Sequence, residues 1–152
     1  SFEEFIRIYN GQYKESNEVY HRLARHCGLS DSAFWILYTL REAEGPVSQK
    51  QLCDELYLSK QTVNSALKKL VEEGVLRLEA ADGNLKNKRV CLTEAGEAFL
   101  RRTVDRVFGV ESAAAARLTE EERSALVALS QKLLDAFRAE TEAFLQTAAI
   151  GD

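Results

Sequence analysis

Residues 48–75 read SQKQLCDELYLSKQTVNSALKKLVEEGV, a stretch that holds two helices joined by a tight turn. Ser48 and Gln51 stand at the S-x-x-Q spacing in which a hydroxyl caps the third helical amide and the Gln side chain reaches back to the cap. The helix so opened runs to about Leu56, with Leu52, Cys53 and Leu56 turned inward. Tyr57-Leu58 is the turn, and Ser59 caps a longer helix that ends at Gly74. On that second helix Val63, Leu67, Leu70 and Val71 make one apolar stripe at helical spacing. The opposite side carries Gln61, Asn64, Ser65, Lys68 and Lys69, with Lys60 at the stripe's edge.

Downstream, Val75-Leu76-Arg77-Leu78-Glu79 reads as a strand, Asp82-Gly83-Asn84 as a turn, and Arg89-Val90-Cys91-Leu92 as the returning strand. Asp82 to Lys88 is then the loop of a hairpin. Thr93 caps a helix expected to continue through Phe99 and Val107. Leu118-Thr119-Glu120-Glu121-Glu122 is a second capping box and opens a last helix to about Gln146, with Leu126, Leu129, Leu133, Phe137 and Phe144 on one side. Upstream, Phe5, Ile6, Tyr9, Tyr13, Tyr20 and Leu23 predict a helix from Phe2 to about Cys27, stopped by Gly28. A further helix starts at Ser30 or Asp31 and ends near Ala43, before Gly45-Pro46. The fold class is therefore mainly α with a small β-hairpin wing beside a helix-turn-helix. All of the strand content is expected in that one two-stranded ribbon.

Composition agrees with this. Of 152 residues, 45% are hydrophobic and 29% charged, with one proline and eight glycines, an ordinary balance for a helical globular chain. No stretch approaches the roughly 18 apolar residues that a membrane span needs, so no membrane association is expected. Ser1-Phe2-Glu3-Glu4 lacks the cationic segment and apolar run of a signal peptide; the start without Met reads as a processed end, and the expected location is cytoplasmic. The net charge of -4 hides an asymmetry. Between Ser59 and Leu92 the cations Lys60, Lys68, Lys69, Arg77, Lys86, Lys88 and Arg89 outnumber Glu72, Glu73, Glu79 and Asp82. A basic patch on an acidic body suits selective contact with a polyanion.

The chemistry of the patch points to double-stranded DNA. Gln61 and Asn64 can pair with adenine edges, and Lys60, Lys68 and Lys69 with guanine or phosphate. Ser59, Thr62 and Ser65 are short hydroxyls that let the helix backbone approach phosphates, and the helix N-terminus adds its positive dipole end. On the hairpin, Lys86, Lys88 and Arg89 are placed to follow the DNA backbone or enter a minor groove. The competing interpretation of such a fold, a winged-helix module for protein–protein contact, has no use for this concentration of cations and amides.

Four segments carry a resemblance: Val47 to Cys53, Leu58 to Asn64, Leu67 to Leu76, and Val90-Cys91-Leu92-Thr93-Glu94-Ala95-Gly96, the last similar to a V-x-L-T-x-x-G wing ending. Together they resemble the multiple-antibiotic-resistance regulator (MarR) family over nearly the whole chain. The resemblance implies a winged helix-turn-helix at residues 29–96, flanked by N- and C-terminal dimerisation helices at 1–28 and 97–152. It further implies a homodimer, probing successive major grooves of a pseudo-palindromic operator as a transcriptional regulator, with repression as the expected mode. By the same resemblance Ser59, Lys60, Gln61, Thr62, Asn64, Ser65 and Lys68 face the groove. Where the family wing commonly has Asp-Arg, this chain has Asn84-Leu85 followed by Lys86; Leu85 offers no charge, which leaves Lys86 or Lys88 to take the role.

Many members of the family bind small aromatic anions. Tyr20, His21, Trp35, Tyr38 and Arg41 are residue types that could line a pocket for an aromatic or anionic effector, although aromatics at helical spacing are usually core, which is the better supported reading. Cys27, Cys53 and Cys91 are too far apart in sequence for a zinc motif and odd in number. Cys53 reads as a small core residue and Cys91 as partly exposed, while His26 beside Cys27 could lower that thiol's pKa. His21 and His26 are five apart and share no helix face, so no metal or other cofactor is expected. No nucleophile–base pair or phosphate loop stands out, and the chain is not expected to be an enzyme.

Overall fold

The first helix, α1 (Phe2–His26), starts at the Ser1 cap, whose hydroxyl accepts from the Glu4 amide, and carries its apolar side chains largely outside the core. Phe2, Phe5, Ile6, Ile8, Tyr9 and Tyr13 are exposed, and only from Tyr20 through Leu23, Ala24 and Cys27 does α1 join the packed interior. This is a computed structural model; it describes residues 1–81, 84–147, 149 and 151, with only the backbone described for 81 and 84–87. The chain falls into two units, Ser1–Phe108 and Gly109–Asp152.

In the first unit, Gly28 takes a left-handed backbone and Ser30 caps α2 (Asp31–Ala43). Phe34, Ile36, Leu37 and Leu40 make α2 the centre of the core. The chain then forms β1 (Val47–Ser48), α3 (Gln49–Leu56), α4 (Lys60–Glu72), β2 (Leu76–Ala81), β3 (Asn84–Leu92), α5 (Glu94–Arg102) and α6 (Val104–Ala115). The capping box at Ser48 and Gln51 is present with both of its hydrogen bonds, and Ser59 caps α4 through the Thr62 amide at 3.1 Å. Such caps satisfy amides that the helix leaves orphaned, each contributing about 1 kcal/mol. Leu52 from α3 and Val63, Leu67 and Leu70 from α4 close on α2, while Val47, Leu76 and Val90 cover one end from the sheet.

Four sequence expectations are corrected. The sheet has three strands, not two, in the order β1-β3-β2, with Val47 opposite Val90 and Ser48 opposite Arg89. A two-residue strand has no periodicity of its own and is defined only by its distant partner. The returning strand begins at Asn84, so Lys88 and the backbone of Lys86 lie in β3 and not in a loop; pairing runs from Leu76–Leu92 to Ala80–Lys88, with a bulge after Ala80. The expected turn residues Asp82 and Gly83 lie outside the described residues. Val71, expected in the buried stripe, is 36% exposed, because α2 and α3 cover only the Val63–Leu67–Leu70 side of α4.

The fourth correction is the helix after Thr93, which does not run on unbroken. Thr103 leaves helical geometry at φ -124, ψ -86 and separates α5 from α6. Its hydroxyl donates to the Phe99 carbonyl at 2.7 Å and its amide to Leu100, a tightened last turn that ends α5. In the second unit, the capping box at Thr119 and Glu122 opens α7 (Glu120–Leu145) with both bonds formed. No α7 side chain is buried, and Leu126, Val127, Leu129, Leu134, Phe137, Phe144 and Leu145 are exposed.

Candidate nucleic-acid interface

The apolar stripe of α4 decides what its other side does. With Val63, Leu67 and Leu70 fixed in the core, Ser59, Lys60, Gln61, Thr62, Asn64, Ser65, Lys68 and Lys69 all stand exposed. Two edges can be told apart. Lys60, Asn64 and Lys68 border a groove between α3, α4 and the sheet, which also takes in Lys88 of β3. Gln61, Ser65 and Lys69 follow one another on the side away from it. Ser59 and Thr62 are partly committed already, since their hydroxyls bond each other at 2.8 Å.

The groove also brings in Gln49 and Lys50 from the first turn of α3, which sequence reasoning missed. Their signal was the Ser48 cap, which marks a second helix N-terminus, but only the packing places it beside α4. Lys50 is bonded to Asp54 at 2.8 Å, and that bond holds its pKa above the ordinary lysine value. Arg89 is exposed, and the side chain of Lys86 lies outside the described residues. Arg77, though cationic, is spoken for. It donates to Glu79 at 2.8 Å and to the Leu92 carbonyl at 2.9 Å, and the first of these bonds keeps the Glu79 carboxyl below its usual range.

The helix dipoles are distributed unevenly. Helices α1, α2, α5, α6 and α7 each carry an acidic residue in the first turn, whereas α3 and α4 carry none. An acid in the first turn neutralises the positive end of a helix; its absence leaves exposed amide ends able to meet an external anion. The two uncompensated ends are those of the helix-turn-helix.

The aromatic candidates behave differently. Tyr20, Trp35 and Tyr38 do come together, with Tyr20–Trp35 centroids at 4.8 Å and Trp35–Tyr38 at 5.1 Å, and the cluster extends to Phe34 and Phe108. His21 is held by Asp31, its Nδ1 at 2.8 Å from the carboxylate. Arg41 is held by Glu97 and Asp105. Cys91 is buried, not partly exposed, although it points to the face of β3 opposite to Val90, where Arg77 and Glu79 of β2 stand beside it; Cys53 is half-buried against the core. Burial pushes the Cys27 thiol up from its ordinary value, against the expected lowering by His26. Among the described residues no group of His, Cys, Asp and Glu is arranged to hold a metal ion, and no helix is long and apolar enough to cross a membrane.

Residues 28–84 match the model of the MarR family, a span that runs from the end of α1 to the start of β3. The chain is 32% identical over 103 residues to the HTH-type transcriptional regulator PecS of Dickeya dadantii. Residues 28–84 are thus a MarR-family segment. The match with PecS covers 66% of this chain and 62% of that protein, under two thirds of its length. A MarR family regulator from Neisseria meningitidis has the same fold, with a TM-score of 0.78 at 20% identity over 91% of this chain and 96% of that one. The organohalide-sensing transcriptional regulator RdhR, in its form with 2,4-dichlorophenol bound, aligns with a TM-score of 0.67 at 18% identity, covering 100% of this chain and 90% of its own. MarR-family regulators are non-enzymatic. The MarR winged helix accounts for the β1-β3-β2 sheet and for the position of α4 beside it.

Proposed function

We propose that this chain is a MarR-family, sequence-specific DNA-binding transcriptional regulator that acts, as a repressor, in the form of a homodimer on a pseudo-palindromic operator. The observation that carries the reading is the exposed cationic and amide-bearing face of α4, set at a helix N-terminus with no acidic residue to oppose it. Gln61, Asn64 and Lys68 are assigned to base edges, and Lys60, Lys69, Lys86, Lys88, Arg89, Ser59, Thr62 and Ser65 to phosphates and groove walls. Lys50 joins the phosphate contacts.

The homodimer is supported by apolar surface that one copy leaves bare. Phe2, Phe5, Ile6, Ile8 and Tyr9 on α1, and Leu126, Val127, Leu129, Phe137, Phe144 and Leu145 on α7, exceed the scattered apolar exposure of a monomer. Residues 1–28 and 97–152 are accordingly assigned to dimerisation and 29–96 to DNA. The cluster of Tyr20, Trp35 and Tyr38 is the candidate contact for an aromatic effector. His21 and Arg41 would first have to leave their carboxylate partners.

Selection of bound duplexes from a random-sequence pool tests the reading. Enrichment of an inverted repeat with half-sites about one helical turn apart is expected. Failure to enrich any sequence, with no retention of duplex at low salt, refutes it.

A further inference from the structure

Arg41 reaches across the one interruption between α5 and α6. From the last turn of α2, its Nη1 donates to Glu97 Oε2 at 2.9 Å, its Nε to Asp105 Oδ1 at 2.8 Å and its Nη2 to Asp105 Oδ2 at 3.2 Å. Glu97 belongs to α5 and Asp105 to α6, and Thr103 between them is the residue that breaks the helix. One guanidinium therefore grips both sides of the break, Asp105 through both of its oxygens.

The regular helix ladder is interrupted at this point. Thr103 has left helical geometry, its own amide reaches back only to Leu100, and its carbonyl accepts from both Arg106 and Val107. Leu100, Val104 and Val107 press the two helices onto the core, but apolar contact is non-directional and permits rotation and sliding. The bidentate pair is directional, and the Arg41 side chain is 22% exposed, less than Glu97 at 44% or Asp105 at 36%. Burial works against the Arg41 charge, yet the bonds to Glu97 and Asp105 outweigh it and raise the pKa further.

The two ends of this device are anchored differently. The start of α5 is fixed to the end of the wing: the Thr93 hydroxyl caps the Gly96 amide and donates to the Gly74 carbonyl, and the Thr93 amide donates to Val75. So the start of α5 is tied to the junction of α4 and the sheet, while α6 follows only after the break at Thr103. We propose that Arg41 is a positioning residue for DNA recognition, locking the α5–α6 bend so that the dimer presents its two α4 helices at one fixed separation. This rests on the dimeric DNA-binding reading above, and it gives Arg41 a role other than effector contact.

The test pairs two measurements on the full chain. In the first, Arg41→Gln and Arg41→Lys are compared with the parent on duplexes carrying the selected half-sites at their natural spacing and with two base pairs inserted. The parent should discriminate steeply against the insertion. Arg41→Gln should bind the natural site about tenfold more weakly, the cost of one charge-assisted contact, and lose most of its spacing discrimination. Arg41→Lys, which keeps the charge but not the fork, should fall between. In the second, nitroxides carried on ketone-bearing amino acids at positions 94 and 113 report the α5–α6 distance distribution by pulsed dipolar spectroscopy, with no DNA present. A narrow parent distribution that broadens in Arg41→Gln supports the lock even if DNA binding itself fails. An unchanged distribution together with unchanged spacing discrimination overturns it while leaving the DNA reading intact. Should Arg41→Gln unfold, Asp105→Asn keeps the arginine, removes one charge and is read by the same two criteria.

Discussion

Gly96, in the first turn of α5, lies directly against the main chain of Val75: a Cβ placed on Gly96 would come within 3.1 Å of the Val75 carbonyl carbon and closer still to its oxygen. The same carbonyl accepts from the Thr93 amide at 3.1 Å. The end of β3 and the start of α5 are thereby seated on the junction between α4 and β2. The glycine of the wing ending is required for closeness and not for an unusual φ.

Gly96→Ala should accordingly destabilise the fold by about 1–3 kcal/mol, the usual cost of forcing an atom into a packed site. Backbone is the obstacle here, and it cannot rotate away as a side chain can. Chemical denaturation measures the effect; a midpoint equal to the parent's would show that α5 is not seated this closely.

Lys68→Glu should abolish operator binding while leaving the oligomeric state and thermal unfolding unchanged. Lys68 is exposed at the centre of the α4 face, so its replacement disturbs no packing and places an anion against DNA. For the parent, affinity should fall steeply with salt because phosphate contacts release counterions. The milder Lys69→Gln should reduce the salt slope by about 1 if Lys69 neutralises one phosphate. Fluorescence anisotropy over a salt series reads both, and parental operator affinity in Lys68→Glu would remove α4 from the interface.

Phe137 is 69% exposed and Leu129 66% exposed on α7 of a single copy. If a second copy covers them, Phe137→Glu loses about 1.5–3 kcal/mol of apolar burial and adds a charge to desolvate. Sedimentation should then show dissociation at concentrations where the parent remains dimeric. Dimers of equal stability would mean that α7 is covered in some other way.

The cysteines predict behaviour at alkaline pH. Burial raises the Cys91 thiol above its ordinary value of 9.0, and the neighbouring Glu79 carboxylate adds to the rise. Below 9.0 the thiol is protonated in both folded and unfolded chains, and its contribution to stability is fully present. As pH climbs past that value the unfolded chain gives up the proton and the folded chain keeps it, so stability falls. Cys91→Val should flatten the loss of Tm above pH 9 relative to the parent. At neutral pH both Cys27 and Cys91 should alkylate more slowly than in the denatured chain; rapid alkylation of Cys27 would show that burial does not hold its thiol protonated.

Legibility in the sequence followed the range of each interaction. The caps at Ser48, Ser59, Thr93 and Thr119 act over three residues, so the residues that make them also announce them. The break at Thr103 was hidden because it involves neither Gly nor Pro, only a hydroxyl turned back on the preceding turn. Strand β1 was hidden because Val47 becomes a strand only by meeting Val90. On the interface, the α4 face could be read from its stripe, whereas Gln49 and Lys50 joined it only through the packing of α3.

From residue order alone came the helices apart from the α5–α6 division, their caps, the outward face of α4 and the likeness to MarR regulators, all of which depend on periodicity and on bonds between near neighbours. Tertiary structure alone decided that Arg41 is engaged by carboxylates 56 and 64 residues away, that Cys91 is buried, and that Gly96 is pressed on Val75. Local patterns set which torsions a segment prefers. Which distant charges and backbones then meet depends on how the apolar faces dock, and that information is spread over the whole core.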